Sequence, residues 1–510
     1  MIHEQMTTGN TGSLAFVKRI LYRTSIVTGL LSTQNLVMAN SELPSAMPQN
    51  VHEATKEVKK DSELQNIFTG IKVKGFGFAR YFTLNGFDSA RKNAQSQQYR
   101  LKLDVTTGKV KGFSATAGIF FSQGSSTPDA GGNTDSAVQG GRGTAYNDNF
   151  SDRFNIGQIY ASKEFVRDSW KAAIDVGKIN IASPLSDKKV DLGTGIVVNA
   201  KQKVSTGSLS YYGSFFDSWS GDHVGYNIRR RTPQVVGGAS IGTNQLSGSI
   251  GIGNNFTLLG IGGDFKEWQF KVYGGNIWGF MDIVSYGDVS YKMKLSDSMQ
   301  LVFLAQTSLA SLSRNARLEL GFKGNAATSK FDTELSSAAQ FRGIYNLQTQ
   351  FKIAKSSLSI GYLGSFGDGY GVLVDYKGGI STGGKVWNGN LTATYEGLGL
   401  LGSGSFNNSS INVAYMVAKY GFKIPLQIGL DIAYIFGNTN MPHLKASSAS
   451  PNTITHSTLS QQFIWNAAFV EITPSINYKF TNNLEISFFA ATFLGDIEFL
   501  KTRTELQYTF

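Results

Sequence analysis

The chain has 510 residues, of which 58 are Gly, 35 Phe, 21 Tyr and 6 Trp, with no Cys. Only 16% of the residues are charged, yet 47 Lys and Arg against 36 Asp and Glu leave a net charge of +11. No apolar run reaches the roughly 18 residues of a membrane-spanning helix, so a helical membrane protein is excluded, and the lack of Cys excludes a disulfide framework, leaving main-chain hydrogen bonding to hold the fold.

Lys18, Arg19 and Arg23 precede a moderately apolar stretch, 24–39, that ends in Val37-Met38-Ala39. This is the pattern of a cleaved signal peptide over residues 1–39. Its removal takes away those three bases and Glu4, lowering the net charge from +11 to about +9. The remaining bases are dispersed rather than clustered, so no nucleic-acid partner is expected; they suit anionic lipid or a basic pore lining. Residues 40–66 read as a periplasmic segment before the main domain, with VHEATKEVKKDSELQN (51–66) helical.

From 67 to 510 the period is two. QYRLKLDV (98–105) sets Tyr99, Leu101, Leu103 and Val105 against Gln98, Arg100, Lys102 and Asp104. YNLQTQFKI (345–353), LQIGLDIAYIF (426–436) and SINYKF (475–480) repeat the scheme, with Gln427, Asp431, Asn477 and Lys479 on the polar face. About eighteen such segments, from 71–83 and 98–107 to 484–494 and 499–510, predict an all-β, transmembrane antiparallel β-barrel with apolar residues toward lipid and polar residues toward an aqueous lumen. Connections such as 106–111, 165–169, 266–267 and 481–483 are tight turns. By contrast, 84–97, 123–151, 217–253, 309–342, 367–408 and 438–463 are long and rich in Gly, Ser and Asn. This asymmetry predicts short periplasmic turns, long external loops and both termini in the periplasm. Of nine prolines only Pro474 falls inside a predicted strand.

FLKTRTELQYTF (499–510) puts Leu500, Thr502, Thr504, Leu506, Tyr508 and Phe510 on one face and Lys501, Arg503, Glu505, Gln507 and Thr509 on the other. Leu506, Tyr508 and Phe510 resemble the C-terminal assembly signal of outer-membrane barrels, which places the protein in the bacterial outer membrane as a client of the barrel-assembly machinery. Closing the last strand on the first removes an otherwise aggregation-prone edge.

Several segments resemble the major outer membrane porin family of Campylobacter and Helicobacter. They are GIKVKGFGFARYFTLN, QYRLKLDV, IYASKEFVRDSWKAAIDVGKINIASPLSDKKVDLGTGIVVNAKQ and NFTLLGIGGDFKEWQFKVYGGNIWGFMDIVSYGDVSYKM. The likeness covers most of the chain after residue 52, with 159–202 the strongest part. It implies an eighteen-stranded, trimeric, general-diffusion porin needing no cofactor, with calcium present in some relatives.

The loop 180–194 follows the fifth predicted strand, where general porins fold a loop into the lumen to form a constriction. Asp187, Lys188, Lys189 and Asp191 stand at its tip, with Arg80, Arg100 and Lys102 expected across the lumen and Asp104 and Asp175 deeper. Opposed charges across a narrow aqueous neck create a transverse field that filters solutes without a binding site. Asp187 and Asp191 are also the calcium candidates, although two carboxylates are few for an ion that takes about six or more oxygens. Gly397, Gly399 and Gly402 form GxGxxG without a βαβ unit and read as loop glycines. His3, His52, His223, His443 and His456 form no catalytic triad, so no enzyme is expected. Arg229, Arg230 and Arg231 can meet lipopolysaccharide phosphates. The expected function is passive diffusion of ions and small hydrophilic solutes; the alternative is an adhesin that uses its long external loops on a barrel anchor.

Overall fold

The computed structural model describes residues 66–86, 94–127, 155–220, 234–236, 239–241, 252–313, 339–374, 378–387, 407–438, 455–456, 462–463 and 466–510. The expected signal peptide, nearly all of the expected helix 51–66, the GxGxxG glycines and Arg229–Arg231 lie outside these residues. So do His3, His52, His223 and His443. A single helical turn, 66–69, leads into the first strand.

Eighteen long strands follow in chain order: β1 Lys72–Gly86, β2 Ala94–Thr106, β3 Phe113–Thr127, β4 Asn155–Val166, β5 Trp170–Asn180 and β6 Leu192–Val204. Then come β7 Gly207–Ser220, β8 Ile252–Phe265, β9 Trp268–Ile277, β10 Met281–Lys294, β11 Met299–Leu312 and β12 Phe341–Ile353. The last six are β13 Ser356–Gly367, β14 Ser410–Gly421, β15 Leu426–Asn438, β16 Asn466–Lys479, β17 Leu484–Gly495 and β18 Phe499–Thr509. Each pairs antiparallel with its sequence neighbours, and β1 pairs with both β2 and β18 in one 18-stranded sheet. The sheet is therefore closed, with no free edge, which is the condition for β-structure to cross a bilayer. At ten to 15 residues the strands are long enough to span it at a tilt.

Side chains divide by parity as the alternation requires. On β15, Ile428 and Tyr434 are exposed on the outer face while Asp431, Ala433 and Ile435 are buried within. Aromatic side chains gather toward both ends of the outer surface. Trp268–Tyr291 and Tyr508–Phe510 pack near the tight turns, with ring centroids 4.6 and 5.0 Å apart, and Phe215–Trp278 and Tyr434–Phe436 pack near the long loops, at 6.2 and 5.3 Å. Such belts suit the two membrane–water interfaces. Pro474 lies where the β16–β17 ladder skips from Ile472↔Thr492 to Ser475↔Phe489, so its missing N–H falls at an existing interruption.

The strict scheme of polar-in fails at the loop end of the barrel. There Phe216, Phe256, Val284, Leu312, Ile344, Val413, Ile435 and Phe469 are inward and buried, forming one core with Ile181 and Leu185 of the 181–191 loop and with Tyr370, Val372 and Trp387. An apolar interior wall needs something apolar against it, and here that is two loops turned inward.

Candidate pore constriction

The first inward loop, 181–191, is shaped by its own backbone and carboxylates. The Asp187 N–H donates to Asp191 Oδ2 at 2.8 Å, and the Lys189 N–H donates to Asp187 Oδ1 at 3.0 Å. The Asp191 N–H donates to the Asp187 carbonyl at 2.9 Å. Ser186 Oγ and Ser183 Oγ are 2.9 Å apart and buried. Asp187 and Asp191 are 7% and 0% exposed, whereas Lys188 and Lys189 between them are exposed. The carboxylates thus cap the turn, and the two ammonium groups form its wet tip.

The expected opposition of this tip to Lys102 across open water is corrected to direct contact. Lys102 Nζ donates to the Lys189 carbonyl at 2.9 Å and to Asn180 Oδ1 at 2.8 Å. A buried ammonium needs acceptors, and the loop supplies them. Asn180 Nδ2 adds a bond to the Lys188 carbonyl at 3.1 Å. Asp104 lies 3.8 Å from Lys102 and accepts from Gln158 Nε2 at 2.8 Å, bracing the same wall. Arg100 is buried with its guanidinium 5.4 Å from the centres of both Phe78 and Phe120. Arg80 stacks on Phe78 at 3.6 Å and is ion-paired with Glu505, its register partner on β18. Asp175 faces the lumen on β5 between Ser162 and Val197.

The tip lysines look in different directions. Lys189 Nζ lies 5.5 Å from the centre of the Phe76 ring and acts on Glu505. Lys188 lies within electrostatic reach of Lys271 on β9 and Asp288 on β10, on the other side of the lumen, and partial desolvation, with Lys271 adding to it, lowers the pKa of its otherwise exposed ammonium.

The second inward loop, described over 368–374 and 378–387, lies inside the barrel, whereas the sequence places it among the external loops as part of 367–408. Its N-terminal part joins the first loop: the Val374 N–H donates to the Leu185 carbonyl at 2.8 Å, and the Gly379 N–H donates to the Pro184 carbonyl. A Cβ on Gly379 would lie 2.8 Å from Pro184 Cβ and 3.0 Å from Tyr286 Oη, so only glycine permits this approach. The wall then takes up the loop's polar groups. Gln306 Nε2 donates to the Gly379 carbonyl at 2.9 Å and its Oε1 accepts the Ser381 N–H at 2.8 Å, while Asn346 Nδ2 donates to the Ser381 carbonyl at 2.6 Å. Glu471, fully buried on β16, accepts the N–H groups of Lys385 at 2.6 Å, Val386 at 3.2 Å and Trp387 at 2.8 Å. Gly384, at φ +81°, makes the turn that aims them. Lys385 reaches Asp431 at 3.5 Å, and burial lowers its pKa while Asp431 offsets part of that effect.

Sequence reading missed Gln306, Asn346, Lys385, Glu471 and Tyr415, whose hydroxyl donates to Asn346 Oδ1 at 2.8 Å. Two signals could have found them. Residues 370–374 (YGVLV) are apolar within a supposed external loop, and 413–417 and 432–436 are apolar at both parities, which marks strands covered on both faces. Toward calcium, Asp187 and Asp191 already receive loop N–H groups, and among the described residues no three acidic or histidine side chains converge. As a donor set this pair does not fit the ion.

A sequence model of the family described as Campylobacter major outer membrane protein matches residues 58–505. No curated protein matches the chain. Among solved structures, Acinetobacter baumannii OccAB3 is similar with a TM-score of 0.54 at 13% identity, over 87% of this chain and 99% of that one. Pseudomonas aeruginosa OccK9 (OpdG) is similar with a TM-score of 0.53 at 12% identity, over 87% and 99%. At these identities the likeness is one of fold. The chain therefore belongs to the Campylobacter major outer membrane protein family, as an outer-membrane porin.

Proposed function

We propose that the barrel passes ions and small hydrophilic solutes by passive diffusion through a neck formed by loops 181–191 and 368–387. One observation carries this reading: the two loops are joined to each other and bonded to the inner wall, yet leave Lys188 and Lys189 exposed to water. Charged side chains on a fixed support beside an aqueous gap act on whatever crosses it. The lumen near the neck is rich in cations held over rings. Arg503 lies 4.7 Å from the Phe489 centroid and Lys501 lies 5.1 Å from that of Phe82. The chain would work as a homotrimer in a bilayer bearing lipopolysaccharide, after delivery by the barrel-assembly machinery; the family resemblance and the apolar outer face support this.

Single-channel recording of the purified protein in planar bilayers tests the reading. Stepwise, non-saturating current that scales with salt is expected. Absence of current from correctly folded protein would overturn it in favour of an adhesin.

A further inference from the structure

On the lumen wall below the neck, Lys171 of β5 and Lys201 of β6 are direct register partners, both exposed and both inward. At four other places on the inner face the register opposes unlike charges, Arg80 to Glu505, Lys271 to Asp288, Lys74 to Asp104 and Lys479 to Glu485, and the remaining inward charges of the described residues oppose uncharged residues. Among the described residues, Lys171↔Lys201 is the one directly opposed pair of like charges. Directly opposed side chains sit about 5 Å apart at Cβ, and like charges there destabilise a sheet. A like-charge pair that costs stability, on a wall that among its described residues sets no other like charges directly opposite each other, points to an anionic ligand that would relieve it.

The two lysines line a cavity of about 650 Å³ together with Lys271. The acids on its lining are occupied. Glu164 is ion-paired with Lys109 first and reaches Lys171 only as a weaker, through-space charge, and Asp264 accepts from Gln269 Nε2 at 2.7 Å; neither acid opposes Lys201 in the register. Lys271 is 3.7 Å from Asp288, but Lys188 acts on it from the neck side, so this corner also remains basic. Asn199 and Ser210 add uncharged polar groups, and the tilted ring pair Tyr212–Tyr273, 5.7 Å between centroids, gives the cavity an apolar face.

We propose that this cavity is a holding site for small solutes with two or more neighbouring anionic groups, carboxylate or phosphate. Lys171 and Lys201 would bind one end, Lys271 the other, and Tyr273 would pack on the carbon skeleton. The site lies on the turn side of the constriction, which the tight turns mark as periplasmic. A solute there would meet Lys188 next, so the site would load anions at the inner mouth of the neck. This rests on the lumen being an open aqueous pore.

Calorimetric titration of the detergent-purified, heat-modifiable barrel with citrate and with inorganic pyrophosphate tests the site independently of current. Binding by at least one of them, weakened by salt and absent for acetate at equal concentration, is expected. The stronger of the two distinguishes carboxylate from phosphate. Lys171→Gln with Lys201→Gln should weaken it at least tenfold, while Lys352→Gln, an inward lysine outside the cavity, should leave it unchanged. Lys201→Glu should abolish binding and raise the unfolding temperature, because it turns a repelling pair into an attracting one. No binding of either anion by the wild type, or equal affinity in the wild type and the double variant, overturns the proposal. In bilayers the same anions should reduce current more from the turn side. Current without calorimetric binding would sink the site and spare the pore; binding without current would do the reverse.

Discussion

The carboxylate of Glu471 on β16 holds the backbone N–H of Trp387 at 2.8 Å, with those of Val386 and Lys385 beside it and the Thr473 hydroxyl donating at 2.7 Å. One acid on the wall thus gathers residues 385–387 of the second inward loop. In Glu471→Ala each N–H left buried without an acceptor costs ~1–3 kcal/mol. The barrel would release 368–387 rather than bear all three. Single-channel current should become larger and noisier, and trypsin should cut after Lys385. Glu471→Gln, which keeps one oxygen, should fall between. Wild-type conductance and protease resistance in the alanine variant would show that the loop is held by its apolar contacts alone.

The two kinds of charge on loop 181–191 should separate in experiment. Lys188→Gln with Lys189→Gln removes two exposed positive charges from the tip, so the reversal potential in a salt gradient should move toward cations. The move should be largest at low ionic strength, since screening lengths shrink as salt rises. Asp187→Asn with Asp191→Asn changes buried caps instead, and should loosen the loop by about 1–2 kcal/mol, by analogy with lost capping bonds. A selectivity change from the aspartates as large as that from the lysines would mean the carboxylates face the solute path.

Lipid exposure can be tested by parity. Leu259 on β8 is 66% exposed on the outer face, whereas Asn199 on β6 faces the lumen cavity. Leu259→Arg should cost about 2–4 kcal/mol if it lies near the bilayer midplane, and Asn199→Arg should alter conductance with little change in stability. Urea unfolding in lipid vesicles reads the first and bilayer recording the second.

The chain end should matter for assembly. The Phe510 N–H donates to the Gly75 carbonyl at 3.0 Å, joining the two ends of the sheet, and its ring packs on Tyr508. Deleting Phe510 removes that bond and an aromatic of the turn-end belt. The fraction of heat-modifiable protein in outer-membrane preparations should fall while total synthesis is unchanged.

The eighteen strands were legible because lipid and water impose opposite demands on alternate side chains, and a period of two cannot be disguised over ten residues. Strand ends were less legible. β1 runs on to Gly86 and β11 to Leu312, past where the alternation weakens, because backbone bonds to a neighbour continue regardless of side chain. The first inward loop could be anticipated from its place after the fifth strand, and its charges were visible as DKKVD. Which of them are wet was not visible, since that depends on Asp187 and Asp191 finding N–H groups two to four residues away.

The second loop was harder to anticipate for a different reason: its apolar run YGVLV hints at burial but does not say against what. Its partners Tyr286, Gln306, Asn346, Asp431 and Glu471 come from five strands spread over nearly 200 residues of chain, and each alone is an ordinary inward polar residue. The amino-acid sequence by itself determined the barrel, its inside and its outside, because those follow from local periodicity. Only the tertiary structure decided the neck and the opposed lysines of the vestibule, because burial, register and contact between distant strands exist only once the sheet has closed.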